Sequence, residues 1–316
     1  MTLAPRVSVI MPTYNSVSFL LSAVHSILNQ SFRDFELVVI DDGSTDATPS
    51  LLKSISDSRL VVHTHTRNLG LASARNAGIE KSEGQYVAWL DSDDESIQGR
   101  LLRQVTLLDR NPHLALCGTW VRPFGLGDGP TWRYPRKPDS LVSRMLFDDP
   151  LATSSVMVRR QTLEESGGFN PDFAPAEDYD LWERITRTHA AANIPSVLTR
   201  YRIHDAQASV RGSALQASAV AQIQRRQLSR LGIQPDPDEW RVHALIGANW
   251  GRGLRPEDLP AAKGWLMRLV EANQHYSVFP RKAFAAVVRH RLDIVEQACQ
   301  PAAWRRARVR VRTALQ

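Results

Sequence analysis

Residues 86–96 read YVAWLDSDDES, an apolar run that ends in four carboxylates within five positions, Asp91, Asp93, Asp94 and Glu95. The apolar part favours a buried strand. Carboxylates this close together repel one another unless something positive lies between them. Asp91 and Asp93 stand two positions apart just past the strand, a spacing of oxygen ligands that suits a hard cation such as Mg²⁺ or Mn²⁺. A solvated turn that caps the next helix would explain the same residues.

Apolar strand patterns alternate with helical patterns on the N-terminal side of this turn. The predicted strands are 7–11 (VSVIM), 36–40 (ELVVI), 59–65 (RLVVHTH) and 85–90 (QYVAWL), and the predicted helices cover 18–28, a segment that starts at Thr48, and 71–82. This alternation predicts an α/β fold with a doubly wound, mostly parallel sheet. Because such sheets bind ligands beyond the carboxyl ends of their strands, we expect PTYN (12–15), DDGSTD (41–46) and DSDDES (91–96) to lie along one edge.

The alternation becomes less regular after residue 96. We predict helices at 101–109 and 177–186 and strands at 114–121 and 153–160, and we interpret 122–150, rich in Gly, Pro, Trp and Arg, as a long functional loop. From residue 211 the chain is predicted to be mainly helical, with a capping box at 236–239. We therefore expect a catalytic domain over 1–210 and a basic, helical C-terminal region over 211–316.

Composition is ordinary for a soluble protein of 316 residues, with 43% hydrophobic and 23% charged residues. No apolar run approaches the roughly 18–20 residues that span a bilayer. The N-terminus reads as a strand rather than a secretion signal. Two cysteines give neither a disulfide framework nor a CxxC metal site. These features predict a cytoplasmic location.

Charge is distributed unevenly along the chain. Residues 1–210 carry 21 Lys and Arg against 25 Asp and Glu, whereas residues 211–316 carry 18 against 8. Five arginines fall within 300–316, which would suit peripheral contact with an anionic membrane but would equally suit a solvated chain end. Nucleic acid is a disfavoured partner, because the arginines lack interleaved aromatic residues and no binding motif is present.

Polar residues at two further places have both a functional and a structural interpretation. Asp41 and Asp42 end the second strand, where a carboxylate could accept hydrogen bonds from a nucleobase or ribose, or could simply form a turn. Arg75, in RNLGLASARNAG, could bind phosphate in a bidentate manner or form a surface ion pair. The chain contains neither GxxxxGK nor GxGxxG after a strand, so a P-loop is excluded and a dinucleotide site is poorly supported.

Three more titratable residues follow later in the chain. Glu177 and Asp178 could supply a general base, although acidic residues are also common in the first turn of a helix because they complement its dipole. His204, in YRIHDAQAS, could bind a metal or phosphate or could be structural.

The order of these motifs is more informative than any one of them. VSVIMPTYN, ELVVIDDGSTD, RNLGLASARNAG, YVAWLDSDD, GGF, EDYDLW and YRIHDAQAS follow one another over about 200 residues. This series resembles the family 2 glycosyltransferases, inverting enzymes with the GT-A fold, and it covers roughly residues 6–210. The resemblance does not extend to the C-terminal region.

The resemblance implies roles for the matching residues. It implies that the nucleotide is bordered by Pro12, Thr13, Tyr14, Asn15, Asp41, Asp42, Arg75, Asp91 and Ser92. The implied metal ligands are Asp91, Asp93 and His204. Asp178 matches the catalytic base, with Glu177 as the less favoured candidate. Gly168, Phe169 and Trp182 are expected on the acceptor side.

The implied activity is transfer of a sugar from a nucleotide-sugar, with a UDP-sugar favoured, to a hydroxyl of a glycan or lipid-linked acceptor. Mn²⁺ or Mg²⁺ would be the cofactor, and cell-surface polysaccharide or glycolipid assembly would be the setting. One rival is a catalytically silent module that only binds a nucleotide-sugar, against which the complete set of Asp91, Asp93 and Asp178 argues. A nucleotidyltransferase is disfavoured, because PTYNSVSFL stands where that class carries a Gly-rich basic loop.

Overall fold

The computed structural model describes residues 4–205, 213–247 and 251–300. The described residues of 4–138 and 150–220 form one compact unit, and the described residues of 139–149 and 221–300 form another. The predicted domain boundary, between residues 210 and 211, lies outside the described residues, as do the arginines of 301–316. Within the described ranges, every helix is too short or too polar to cross a membrane.

The first unit contains one mixed sheet. Its strands are β1 (Val7–Thr13), β2 (Phe35–Asp41), β3 (Leu60–Thr64), β4 (Tyr86–Trp89), β5 (Glu95–Ser96), β6 (Leu114–Gly125), β7 (Met157–Arg159) and β8 (Ala190–Ile203), in the spatial order β3-β2-β1-β4-β7-β6-β8-β5. Strands β1 to β4 are mutually parallel, and β6 pairs with β8 in parallel. Pairings β4–β7, β6–β7 and β5–β8 are antiparallel. The predicted α/β class and mostly parallel sheet are confirmed.

Helices connect the strands and continue through the C-terminal part. They are α1 (Val17–Leu28), α2 (Thr48–Ser54), α3 (Leu71–Glu80), α4 (Arg100–Arg110), α5 (Pro138–Arg144), α6 (Arg160–Ser166), α7 (Glu177–Thr186), α8 (Ser213–Arg230), α9 (Pro237–Ile246), α10 (Leu259–Tyr276) and α11 (Arg281–Ala298). The predicted helical C-terminal region is confirmed for its described residues.

Apolar periodicity explains how the sheet is covered. Strand β1 is buried along its whole length, as its continuous apolar run predicts for a parallel strand covered on both faces. Leu20, Val24 and Ile27 form the buried stripe of α1 within the main core. On α3, Gly78 allows close approach to the sheet, because a Cβ there would lie 2.3 Å from Cγ2 of Ile10.

Two predictions from the less regular part of the chain were wrong. The strand predicted at 153–160 covers only β7, because Thr153–Ser155 forms a 3₁₀ turn and α6 begins at Arg160. Ser155 donates its hydroxyl to the carbonyl of Ala152 at 2.7 Å, a local bond that competes with strand pairing. The loop predicted at 122–150 is also more ordered than expected, since β6 continues to Gly125 and α5 lies within this range.

The second unit has an apolar core of its own, built from α8 to α11 together with Leu146 and Phe147. The predicted capping box is present at the start of α9. Asp236 accepts the N–H of Glu239 at 2.9 Å, and Glu239 accepts the N–H of Asp236 at 3.1 Å.

Candidate active site

The carboxyl ends of three neighbouring strands carry the predicted site residues. Strand β1 lies between β2 and β4, and these strands end at Thr13, Asp41 and Trp89. Thr13 and Asp41 are partners in the β1–β2 register. The sheet therefore brings the PTYN, DDGSTD and DSDDES segments to one edge, as their positions after parallel strands predicted.

Asn15 joins the first two of these segments. Its φ of 50° is left-handed, a conformation that Asn tolerates better than most residues. Its side-chain Oδ1 accepts the N–H of Thr45 at 2.8 Å, and its own N–H donates to the Ser44 hydroxyl at 2.9 Å. Beside it Tyr14 is 46% exposed, so one face of the edge presents an accessible aromatic ring.

The two consecutive aspartates at the end of β2 make different contacts. Asp42 accepts the N–H groups of Leu69 and Gly70 at 3.0 and 2.9 Å, and Nδ1 of His65 lies 2.7 Å from it. Asp41 accepts the N–H of Ser44 at 3.0 Å with Oδ1, while its buried Oδ2 has no hydrogen-bond partner. Asp42 therefore holds the 65–70 loop in place, whereas Oδ2 of Asp41 is unpaired but buried, so its expected contact with a base or ribose stays a prediction.

The acidic turn after β4 (residues 91–96) forms hydrogen bonds with residues of three other segments. Asp91 donates its N–H to the Ser154 hydroxyl at 3.1 Å, and Ser92 donates its hydroxyl to that of Ser16 at 2.9 Å. Asp93 Oδ2 lies 2.9 Å from Nε2 of His204. Burial, reinforced by the like charge of Asp91, raises the pKa of Asp93.

Asp93 and His204 are suited to a divalent cation by their chemistry. A carboxylate oxygen and an imidazole nitrogen lie side by side, and a cation would relieve the repulsion between Asp93 and Asp91. Within the described ranges, no three His, Cys, Asp or Glu side chains are grouped to hold a metal by themselves. The arrangement fits a cation that takes its remaining ligands from phosphate oxygens and water.

Arg75 connects the acidic turn to α7. Its guanidinium is 3% exposed and binds Glu177 Oε1 through Nη1 at 2.8 Å and Asp91 Oδ1 through Nη2 at 3.0 Å. Both terminal nitrogens are therefore used within the protein. The expected contact of Arg75 with base or diphosphate stays a prediction.

Glu177 and Asp178 differ in how accessible they are at the start of α7. Glu177 is buried, and burial raises its pKa against the opposing effect of Arg75. Asp178 is half-buried, and its carboxylate accepts the Thr153 hydroxyl at 2.7 Å and the N–H of Tyr179 at 2.8 Å. Of the two, Asp178 is the one that an acceptor hydroxyl could reach.

Two of the three residues expected on the acceptor side are more deeply buried than Asp178. Phe169 and Trp182 are 2% and 0% exposed and pack edge-on against Trp89, with ring centroids 5.5 and 5.6 Å away. Gly168, with φ of 71°, has no room for a side chain, since a Cβ would lie 2.8 Å from Oδ1 of Asn76. Direct contact of these rings with an acceptor stays a prediction and would require them to be uncovered.

Three polar residues that the fold brings to this site had no functional assignment from sequence. Asp94 is fully buried, burial raises its pKa, and its Oδ1 accepts the N–H of Arg202 at 2.8 Å. Thr153 and Ser154 contact Asp178 and Asp91. The DSDD run was a signal for Asp94. Nothing in the sequence indicated Thr153, because its partner lies 25 positions later and the pair belongs to no motif.

Comparison with known proteins agrees with this fold and arrangement. The family model described as glycosyl transferase family 2 matches residues 8–165. A protein described as an uncharacterized glycosyltransferase of Haemophilus influenzae is 31% identical over 246 residues, which cover 72% of this chain and 76% of that protein. The chain therefore belongs to glycosyltransferase family 2.

Other relatives extend the same picture. The putative teichuronic acid biosynthesis glycosyltransferase TuaG of Bacillus subtilis is 31% identical over 63% of this chain and 79% of its own length. An uncharacterized glycosyltransferase of Rickettsia bellii is also 31% identical, but the match spans only 29% of that longer protein.

Solved structures support the fold at low sequence identity. S. aureus TarS 1-349 in complex with UDP-GlcNAc superimposes with a TM-score of 0.62 at 18% identity, covering 93% of this chain and 90% of that one. The mannosyltransferase PcManGT from Pyrobaculum calidifontis, in complex with GDP-Man and Mn²⁺, gives 0.58 at 21% identity, covering 94% and 88%. The chain has the GT-A fold.

Proposed function

We propose that the protein transfers a sugar from a nucleotide-sugar to a hydroxyl of a glycan or lipid-linked acceptor, with inversion at the anomeric carbon and with Asp178 as the base. One observation carries this proposal. The buried guanidinium of Arg75 binds both Asp91 of the acidic turn and Glu177 beside Asp178. A donor bound at the turn would thus lie next to an accessible carboxylate.

The nucleotide would lie against the edge formed by the PTYN and DDGSTD segments. The exposed ring of Tyr14 supports packing against a flat base. Oδ2 of Asp41 has no hydrogen-bond partner, but it is buried and would have to be uncovered to accept a hydrogen bond from a base or ribose. A UDP-sugar is the favoured donor. The superimposed TarS structure is a complex with UDP-GlcNAc, and the PcManGT structure is a complex with GDP-Man. A donor screen should therefore include both UDP-sugars and GDP-sugars.

Asp93 and His204 would hold the divalent cation, with Asp91 nearby. When bound, the cation would neutralise negative charge on the leaving diphosphate. The chain's own part is to hold these two side chains 2.9 Å apart, through β8 and the acidic turn, and to bury Asp93 in part so that a neighbouring positive charge is favoured.

Asp178 would accept the proton of the attacking hydroxyl. The acceptor oxygen forms a bond to the anomeric carbon while the bond from that carbon to the phosphate oxygen breaks, and the bonding electrons leave with the nucleoside diphosphate. Since attack comes from the face opposite the leaving group, one displacement inverts the centre and requires no sugar–enzyme intermediate. Removal of one positioned base costs about 10² to 10⁴ in rate.

The biological setting is also a proposal. The name of TuaG supports an acceptor in a cell-surface polysaccharide. Peripheral membrane contact through the C-terminal arginines, and the cytoplasmic location, stay predictions that neither the described residues nor the relatives support further.

The test is a panel of UDP- and GDP-sugars, with MnCl₂ or chelator, in which nucleoside diphosphate release is measured with and without candidate glycan acceptors. We expect Mn²⁺-dependent release by the wild type and loss of about 10² to 10⁴ in Asp178→Asn. Asp93→Ala should lose the metal dependence together with the activity. Glu164→Gln, an exposed carboxylate on α6, is the matched control and should retain full activity.

Each rival has a distinct outcome. Release of pyrophosphate instead of nucleoside diphosphate would indicate a nucleotidyltransferase. Tight nucleotide-sugar binding without turnover under any condition would indicate a binding module. Normal transfer by folded Asp178→Asn would remove the base assignment.

A further inference from the structure

The 3₁₀ turn Thr153–Ser155 lies where the acidic turn and α7 come together. Its first residue donates a hydroxyl hydrogen bond to Asp178 Oδ2 at 2.7 Å. Its second residue accepts the N–H of Asp91 at 3.1 Å. One three-residue turn thus contacts both the donor side and the base of the proposed reaction.

The turn does not need the Thr153 hydroxyl to keep its shape. Ser155 donates its N–H and its hydroxyl to the carbonyl of Ala152, both at 2.7 Å, and Val156 donates its N–H to the carbonyl of Thr153 at 2.9 Å. The third hydroxyl of the turn, on Ser155, also accepts the N–H of Thr119 at 3.3 Å. The Thr153 hydroxyl alone is directed at Asp178.

The Asp178 carboxylate is held at two points. Oδ1 accepts the N–H of Tyr179, the next residue of α7, and Oδ2 accepts the Thr153 hydroxyl. The terminal torsion of an aspartate side chain is soft, so a single hydrogen bond leaves the carboxylate free to turn. The second bond, from a buried residue on a different element, sets the direction in which its remaining lone pairs point.

We propose that Thr153 is a positioning residue, one that acts through Asp178 by fixing the orientation of its carboxylate toward the acceptor hydroxyl. This inference rests on the proposed function. Thr153 touches no reacting atom in this scheme, so its loss should slow the chemical step and leave donor binding intact. A misplacement of about 1 Å at a reacting group is enough to cost on the order of 10²-fold in rate.

The experiment compares Thr153→Val, Thr153→Ser and Asp178→Asn with the wild type, using UDP-GlcNAc, UDP-glucose and GDP-mannose as donors with MnCl₂. Valine keeps the shape of threonine and removes the hydroxyl, whereas serine keeps the hydroxyl and removes the methyl group. Thr186→Val is the matched control, because Thr186 lies in the same helix as Asp178 and directs its hydroxyl at the carbonyl of Trp182. The readouts are kcat, donor KM, the affinity for UDP and the melting temperature.

We expect Thr153→Val to lower kcat by about 10- to 100-fold with little change in donor KM or UDP affinity. Thr153→Ser should restore most of the rate, and Thr186→Val should behave as the wild type. If Thr153 were only structural, Thr153→Val would lower the melting temperature and raise KM, and serine would not rescue it; that result would overturn the inference.

The outcomes also separate this inference from the function on which it rests. Full kcat in Thr153→Val, together with an inactive Asp178→Asn, would overturn the role of Thr153 and leave the base assignment standing. Absence of turnover by the wild type with every donor would overturn the proposed function and this inference with it.

Discussion

Arg75 places a positive charge in the interior of the first unit, between carboxylates that belong to different segments. Glu177 is buried, whereas the side chain of Asp91 is 28% exposed. Ion pairs of this kind contribute little to net stability compared with apolar residues of the same volume, but removal of one partner leaves the other charge buried and unpaired. The free-energy cost of replacing Arg75 therefore arises mainly because the buried charge of Glu177 would lose its partner.

We expect Arg75→Met to lower the free energy of unfolding by about 3–5 kcal/mol, because Glu177 loses the group that compensates its burial. Addition of Glu177→Gln should recover part of this loss. The measurement is urea unfolding followed by tryptophan fluorescence. Arg6→Met is the control, since Arg6 and Asp109 are each 39% exposed and such pairs are worth at most about 1 kcal/mol. Equal costs for the two variants would contradict this account of Arg75.

Single residues also show where prediction from sequence ends. Asp91, Asp93 and Asp178 could be proposed as site residues from their types, from their places after a strand or at a helix start, and from the order of the motifs, and their roles stay predictions. The partners of Arg75 could not, because Glu177 is 102 positions away and a free phosphate-binding guanidinium has the same sequence signature. The contact between Thr153 and Asp178 could not be predicted from sequence either, because only the tertiary fold brings these residues together.

Among the strands and helices, those buried on both faces were the easiest to predict from sequence. Strands β1 and β2 are mainly apolar because both faces of the sheet are covered, and they were predicted correctly. Strand β8 was missed, because it contains Pro195 and the charged residues Arg200 and Arg202, and its pairing with β6 shifts register three times. Polar groups of β8 form hydrogen bonds with other segments. The side chain of Arg200 donates to Glu95, and the backbone N–H of Arg202 donates to Asp94.

Two loops at the sheet edge approach each other so closely that one position requires glycine. Gly43 has φ of 73°, and a Cβ there would lie 2.5 Å from the backbone carbonyl carbon of Arg67. The segment after Arg67 is the one whose N–H groups, from Leu69 and Gly70, bind Asp42. A side chain at position 43 would therefore push this segment away from Asp42.

We expect Gly43→Ala to cost about 2 kcal/mol or more, from left-handed strain and from displacement of the 67–70 backbone. UDP affinity should fall as well, since Asp41 and Asp42 adjoin the substituted position. Calorimetric melting and UDP titration measure the two effects. Gly127→Ala is the control, because Gly127 is exposed and a Cβ at this position would have no neighbour within 4 Å. A Gly43→Ala protein as stable as Gly127→Ala would show that the loops can separate without cost.

For the molecule as a whole, one buried imidazole links stability to pH. His243 lies in the core of the second unit, stacked on Phe147 with centroids 5.6 Å apart, and its Nδ1 accepts the indole N–H of Trp265 at 3.2 Å. Burial, aided by the nearby charges of Arg291 and Arg225, lowers its pKa from 6.5 to about 4. The folded protein therefore holds this histidine neutral where the unfolded chain would protonate it.

The lowered pKa of His243 makes the folded state less stable in acid. Between pH 6.5 and about 4 the unfolded state binds more protons at this residue than the folded state, so stability rises with pH across that window. The contribution of neutral His243 is complete above pH 6.5 and is lost as the pH falls toward 4. The shift corresponds to about 3 kcal/mol in total. Asp94 and Glu177, whose pKa values burial raises, act in the opposite direction in the first unit.

We expect His243→Gln to reduce the acid sensitivity of the protein, because glutamine can still accept the Trp265 N–H but takes up no proton. Urea unfolding at a series of pH values from 7.5 to 4.5 should give a smaller loss of stability in this variant than in the wild type, even if the variant is less stable at pH 7.5. Asp94 and Glu177 are present in both proteins, so the difference between the two curves isolates His243. His275→Gln, at an exposed position on α10, should follow the wild-type curve. Parallel curves for His243→Gln and the wild type would mean that the buried imidazole is not what couples this fold to acid.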